Sequence, residues 1–245
     1  MAELREKLLS VMDRKDHWAW PHFARGSVPL PKLLPHFQRE WEVYVRDFPV
    51  LLARVLGHGP PEPVRRALAA NIYEEQTGGI SGADAHPALF LRMMRGCGFE
   101  ASAFAEVQLP PAARAYRAFL DEVSWPVPWQ RGAAVLTLFV EGSANERAEL
   151  ASRAHPAPKT PEEIDAAVQR HPLVRVHHVE PEAMELVRVH QRIEGGHRED
   201  AWSAVLGNVT PEQEPAVLQA MERALALWLA YRDEVAAACD IAPAT

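Results

Sequence analysis

The sequence predicts an all-α fold of about seven to eight helices, on three observations. Apolar residues recur at helical spacing along almost the whole chain, and strand-like alternation is scarce. The 21 prolines fall mostly between the helical segments, as in Pro60-Pro61, Pro110-Pro111 and the stretch from His155 to Pro161. No internal repeat, low-complexity tract or long linker interrupts the pattern, so residues 1–245 read as a single helical bundle with its core at about 30–235.

Taken in order, residues 32–57 form a long apolar-faced segment carrying Leu33, Leu34, Phe37, Trp41, Tyr44, Phe48, Leu51 and Leu52, with Pro49 expected to kink it. Segment 62–77 ends in Glu74 and Glu75 and meets a glycine-rich loop. His86 then opens a helix at 87–97, closed by Cys97. Segment 110–122 follows the Pro110-Pro111 break, and 129–153 carries Leu136, Leu138, Phe139 and Val140 ahead of Glu141. Helices at 161–170 and 211–239 have signposted starts. Thr160-Pro161-Glu162-Glu163 and Thr210-Pro211-Glu212-Gln213 each offer a threonine cap, proline at the first helical position, and Glu or Gln three residues on. Between them, 181–206 presents Leu186, Val189, Ile193 and Ala201 on one side. His171, His177 and His178 read as a loop feature ahead of this helix.

Composition narrows the class of function. Hydrophobic residues make up 48% and charged residues 24%, as in a globular domain with a substantial core. A net charge of −7 argues against a nucleic-acid partner. No run approaches the roughly 18 apolar residues of a membrane span. The charged N-terminal stretch lacks the apolar core of a signal peptide, and the two cysteines, Cys97 and Cys239, lie far apart. A reducing, cytoplasmic setting is therefore expected.

The chemistry-bearing residues lie on three of the helices. His190, Glu194 and His197 occupy positions i, i+4 and i+7, which at about 100° per residue fall within roughly 60° of one another on a helix. They can converge on one point in a bundle core, and a histidine–carboxylate set suits iron, manganese or zinc rather than calcium. The alternative is a solvated polar face, but the apolar residues bordering the triad imply burial, and buried polar groups need partners. Gly195 and Gly196 interrupt this helix at about 1 kcal/mol each relative to alanine. The pair implies that the segment around 190–200 is poorly protected from hydrogen exchange when metal is absent. Glu141 follows an apolar run, where a carboxylate is costly unless paired with Arg147 or Arg153, or bound to a metal. Glu74, Glu75 and His86 complete the candidates, with helix capping the alternative role for His86.

This ordered set resembles the haem-oxygenase-like di-iron oxidases and oxygenases, a family in one superfamily with thiaminase II and pyrroloquinoline-quinone synthase. The family pattern is a carboxylate and a histidine on successive core helices, then a mid-helix glutamate, then His-x3-Asp/Glu-x2-His. The resemblance maps these onto Glu75 and His86, Glu141, and His190, Glu194 and His197, with Glu74 an open alternative to Glu75. It implies two Fe(II)/Fe(III) ions, or manganese, with O2 as co-substrate. The activity it implies is oxidation of a small amine-, amino-acid- or carboxylate-bearing molecule by N-oxygenation or oxidative C–C cleavage. Glu141 is the bridging ligand on this reading, and Tyr44 resembles a catalytic core tyrosine of the relatives. No lysine follows Glu141 until Lys159, which counts against the self-consuming chemistry of some of them. Arg147 or Arg153 is the candidate for a substrate carboxylate, against the alternative of surface ion pairs. A small-molecule substrate, an external electron donor and a homodimer partner are the expected associations. The other readings are a cofactor-independent enzyme of the thiaminase or quinone-synthase kind, and a non-catalytic metal-binding helical protein.

Overall fold

The computed structural model describes residues 2–125, 128–152 and 159–243, apart from the side chains of 152 and 194–200. Among the described residues there is no strand, and the chain forms thirteen α-helices. These are α1 (Ala2–Asp13), α2 (Trp20–Arg25), α3 (Leu34–Glu40), α4 (Phe48–Gly57), α5 (Glu62–Thr77), α6 (His86–Gly96) and α7 (Pro111–Ser124). They continue as α8 (Trp129–Ala133), α9 (Glu146–Ser152), α10 (Pro161–Arg170), α11 (Pro172–Arg175), α12 (Glu185–Leu206) and α13 (Glu214–Ala238).

The count exceeds the expected seven to eight because two long segments are broken and because α1, α2 and α11 form where no helix was expected. The 32–57 segment becomes α3, a π-helical turn at Trp41–Val45, and α4. Its interruption comes at Asp47, which leaves helical geometry at φ −113°, so Pro49 sits in the first turn of α4 rather than kinking a helix interior. There its missing N–H costs nothing. The 129–153 segment becomes α8, a π-helical stretch at Ala134–Val140, a turn, and α9. Glu141 therefore caps the π stretch instead of lying mid-helix, and it is exposed, so the burial cost expected of its carboxylate does not arise. Around Thr160 the capping box is complete, with Glu163 N–H donating to Thr160 Oγ1 and Thr160 N–H to Glu163 Oε2. At Thr210 its N–H donates to Gln213 Oε1 at 3.0 Å, and the helix proper starts at Glu214.

Helix α13 is the central post, packed against α1, α3, α7, α8 and the π stretch. Its inner face buries Val217, Met221, Leu225, Trp228, Tyr231 and Arg232. The N-terminal stretch, unassigned from sequence, forms α1; Leu4, Leu8, Val11 and Met12 bury one stripe against α13 and α9. Helices α5, α6 and α12 pack on one another, and α12 also meets the π stretch. Close approach of α6 to the turn leading into α12 depends on Gly96, where a Cβ would stand 2.3 Å from that of Ala183. Trp202 ties α12 to α9 by donating from Nε1 to the buried Glu146 carboxylate at 2.8 Å. Among the described residues no helix is long and apolar enough to cross a membrane.

Candidate metal centre

The centre grows from the end of α5 and the loop beyond it. Gly78 terminates α5 in the left-handed region (φ 64°), its N–H donating to the Glu74 carbonyl at 2.7 Å. The loop then folds back, and the N–H groups of Ile80 and Ser81 donate to Glu74 Oε2 at 2.8 and 2.9 Å. A Cβ on Gly78 would lie 2.2 Å from the Ala83 carbonyl oxygen, on top of its disfavoured φ. Gly78→Ala is expected to destabilise the protein by about 2 kcal/mol or more. Urea denaturation checks this, and a loss below about 0.5 kcal/mol would mean the loop relaxes without cost.

His86 opens α6 directly beneath this loop and is 4% exposed. Its Nε2–H donates to Glu74 Oε1 at 3.3 Å, while Nδ1 lies 2.9 Å from Glu75 Oε1. Despite that proximity, Nδ1 makes no hydrogen bond of acceptable angle and is a buried, orphaned polar atom. His190, on α12, approaches with its ring centroid 5.0 Å from that of His86 at 70°. One donor atom from each of Glu75, His86 and His190 lies within 4.8 Å of the others. The two adjacent glutamates thus diverge, Glu75 toward the histidines and Glu74 toward the loop.

These residues fit a first-row metal ion. Donors to such an ion stand about 2.0–2.2 Å from it, so the 2.9 Å between Glu75 and His86 is in register for sharing one, with His190 within 4.8 Å. Two imidazoles and a carboxylate are a donor set that suits iron, and His86 Nδ1, buried without a hydrogen bond and 2.9 Å from Glu75, is placed to exchange its proton for a metal. Burial, reinforced by the charge on His86, lowers His190 to about 4, so it is neutral and able to ligate throughout the physiological range. Burial works to lower His86, but Glu75 and Glu74 outweigh it and raise the group above its ordinary value.

That asymmetry fixes a pH dependence. A metal must displace the proton on His86 but none on His190, so affinity falls as pH drops below the raised His86 value, approaching tenfold per unit. Without metal the sign reverses for His86: its contribution to stability is present below the unfolded histidine value and lost as pH rises through the folded one. Co(II) titrations between pH 6 and 8 read the first effect; affinity independent of pH would contradict it.

The three residues face a pocket of about 240 Å³ also lined by Tyr44, Val45, Phe48, Asn71, Val140, Glu141, Leu186 and Ile193. Glu141 Oε1 accepts from Asn71 Nδ2 at 2.6 Å. Two features here were missed from sequence. Both π-helical segments end at the pocket, one bringing Tyr44 and Val45 and the other Val140 and Glu141; such segments frequently mark functional sites. The second is Lys15, 7% exposed, whose Nζ donates to the carbonyls of Phe139, Val140 and Gly142 at 2.6, 3.3 and 2.6 Å. It clamps the backbone on both sides of Glu141. Within the charged N-terminal stretch only its position beyond the α1 stripe hinted at burial.

The remaining candidates fall elsewhere. Arg147 is on the outer surface, where Glu6 and Asp13 engage its guanidinium at 2.8 and 2.9 Å, so it does not reach the pocket. Arg153 and the side chains of Glu194 and His197 lie outside the described residues, although the backbone of α12 runs through 194–197. Trp41 stacks on Phe90 and Phe139 packs on Trp228 within the core, while Tyr73 is exposed. His171 and His177 line an apolar cavity of about 490 Å³ that reaches Tyr44, Leu186 and His190.

A sequence model of a protein family described as "iron-containing redox enzyme" matches residues 35–229. Among solved structures, the chain is similar to that of a TenA homolog from Pseudomonas syringae pv. tomato. The TM-score is 0.68 at 13% identity, covering 96% of this chain and 91% of that one. At such identity the likeness establishes the fold alone. No curated protein matches the chain.

Proposed function

The chain belongs to the family of iron-containing redox enzymes, and from that premise we propose that it is a non-haem di-iron oxidase or oxygenase. Its reaction is the O2-dependent oxidation of a small amine-, amino-acid- or carboxylate-bearing substrate. The observation that carries this reading is the Glu75–His86–His190 cluster, with a buried Nδ1 that makes no hydrogen bond, set on the wall of a largely apolar pocket. Glu75, His86 and His190 would hold one ion; Glu141, in the same pocket, would help hold a second, with Glu194 and His197 as the family resemblance implies. Bound iron would supply the redox chemistry that dioxygen activation requires, with an external donor furnishing any electrons the substrate does not.

The chain's own residues define the rest. Val45, Phe48, Leu186 and Ile193 give the pocket an apolar lining that limits water around the reacting groups. Asn71 and the Lys15 clamp fix where the Glu141 carboxylate points. Tyr44 borders the pocket and both neighbouring cavities of about 490 Å³, one apolar and one bearing Lys15, Glu40 and Arg232. A substrate with an apolar body and a charged group suits that pair of spaces.

A thiaminase-like reading would need a reactive thiolate. Cys97 is buried and its thiol is pushed up to about 11, and burial raises Cys239 as well. Neither thiol supports it. The test is anaerobic Fe(II) loading followed by metal analysis and O2 exposure. Uptake of about two irons per chain with iron-dependent O2 consumption is expected across amine and carboxylic-acid substrates. Failure to bind iron would overturn the proposal, as would bound iron that never consumes O2.

A further inference from the structure

The imidazole of His86 sits between two carboxylates, and they do different things to it. Glu74 is 1% exposed and cannot turn: its Oε2 is taken by the N–H groups of Ile80 and Ser81, leaving Oε1 facing His86 Nε2. Glu75 Oε1 stands 2.9 Å from Nδ1 as its ion-pair partner, within the cluster that includes His190. A neutral imidazole carries one proton, and the partner of one nitrogen decides what the other can do. An ionised carboxylate accepts only, so in the metal-free site both nitrogens face an acceptor; a metal shared by Nδ1 and Glu75 takes the place of the proton on that side, and the one proton left is the Nε2–H facing Glu74.

We propose that Glu74 is the positioning residue of the centre: its locked carboxylate holds the Nε2–H of His86 and so reserves Nδ1 as the metal-ligating nitrogen. The inference rests on the metal-binding part of the proposed function but not on the reaction. It gives the glycine-rich loop a purpose, because Gly78 turns the chain so that residues 80 and 81 can fix Glu74. The loop is also linked to the ligand helix, through Arg192 Nη1 donating to the Ser81 carbonyl at 3.3 Å.

Glu74→Gln separates orientation from packing. The amide oxygen can still accept from Ile80 and Ser81, but the amide N–H₂ then meets Nε2 and drives the proton to Nδ1. Co(II) binding, followed by titration of the full-length protein, is expected to weaken about 10- to 100-fold while the metal-free variant stays folded. The second measurement needs no variant. In Zn(II)-loaded protein labelled with ¹⁵N-histidine, His86 should show a protonated Nε2 and a metal-bound Nδ1. Zinc on Nε2 would overturn the proposal, as would Co(II) affinity in Glu74→Gln within about twofold of the unaltered protein. If the variant does not fold, the labelling result decides. Protein that binds neither Zn(II) nor Co(II) would overturn this proposal together with the metal reading, whereas metal binding without O2 consumption would remove only the proposed reaction.

Discussion

Glu40→Ala is expected to lower stability by about 3–5 kcal/mol, the loss seen when one partner of a buried ion pair is removed. Glu40 Oε1 accepts from Tyr231 Oη and from Arg232 Nη1, each at 2.6 Å, with His36 Nδ1 3.6 Å away. Arg232 is 2% exposed, its guanidinium 4.4 Å from the centroid of Trp20 and 5.5 Å from that of Phe23. Alanine would leave that cation and the buried Tyr231 hydroxyl without their shared acceptor. For a chain of this size the loss corresponds to roughly 6–20 °C in Tm. The double variant Glu40→Leu/Arg232→Met should recover most of it, because a well-packed apolar pair can replace a buried ion pair at little cost. The competing effect is water: Glu40 and Arg232 border a cavity of about 490 Å³. A single-variant loss under about 1 kcal/mol would mean that water there already solvates the guanidinium.

The Glu40 cluster also marks where sequence reading stops. The all-α class was legible because a 3.6-residue period repeats in nearly every segment. Helix α1 carried the same signal, with Leu4, Leu8, Val11 and Met12 at i, i+4, i+7 and i+8, but its many charges masked the stripe. Spacing marked His190 on α12, while Glu75 and His86 came from the family resemblance, with Glu74 left as an alternative to Glu75; the fold brings Glu75, His86 and His190 together. Adjacent Glu74 and Glu75 point about 100° apart on a helix, so one centre can use only one of them. Which one depends on where the loop amides at 80 and 81 land, a tertiary matter. The π-helical segments were illegible for a related reason. One extra residue per turn leaves no local signature, and the Lys15 clamp on the second comes from more than a hundred residues away. Arg147 was drawn toward the pocket by its place nearly two helical turns beyond Glu141, but the chain leaves the helix between them and turns it outward.

His190→Ala should have two consequences of opposite sign. Metal affinity should fall by more than about 100-fold, exceeding what loss of a supporting residue costs, because a ligand and not its orienter is gone; iron-dependent O2 consumption should fall with it. Acid tolerance of the metal-free protein should improve. The folded value of His190 is lowered to about 4, while an unfolded histidine titrates at its ordinary value of about 6.5. The unfolded chain therefore takes up a proton that the folded site refuses, and stability is lost as pH falls from 6.5 toward 4. Removing the imidazole removes that loss, so the metal-free variant should lose less stability than the unaltered protein between pH 7 and pH 4.5 in urea denaturation. His86 does not blur the comparison, since its raised value acts in the opposite direction and is present in both proteins. The pairing also guards against misreading a damaged fold: a variant that merely packed badly would lose metal and stability together at every pH. Parallel acid-loss curves for the two proteins would mean that His190 is not buried as a neutral ring in the metal-free state, and the argument for its readiness to ligate would fall with it.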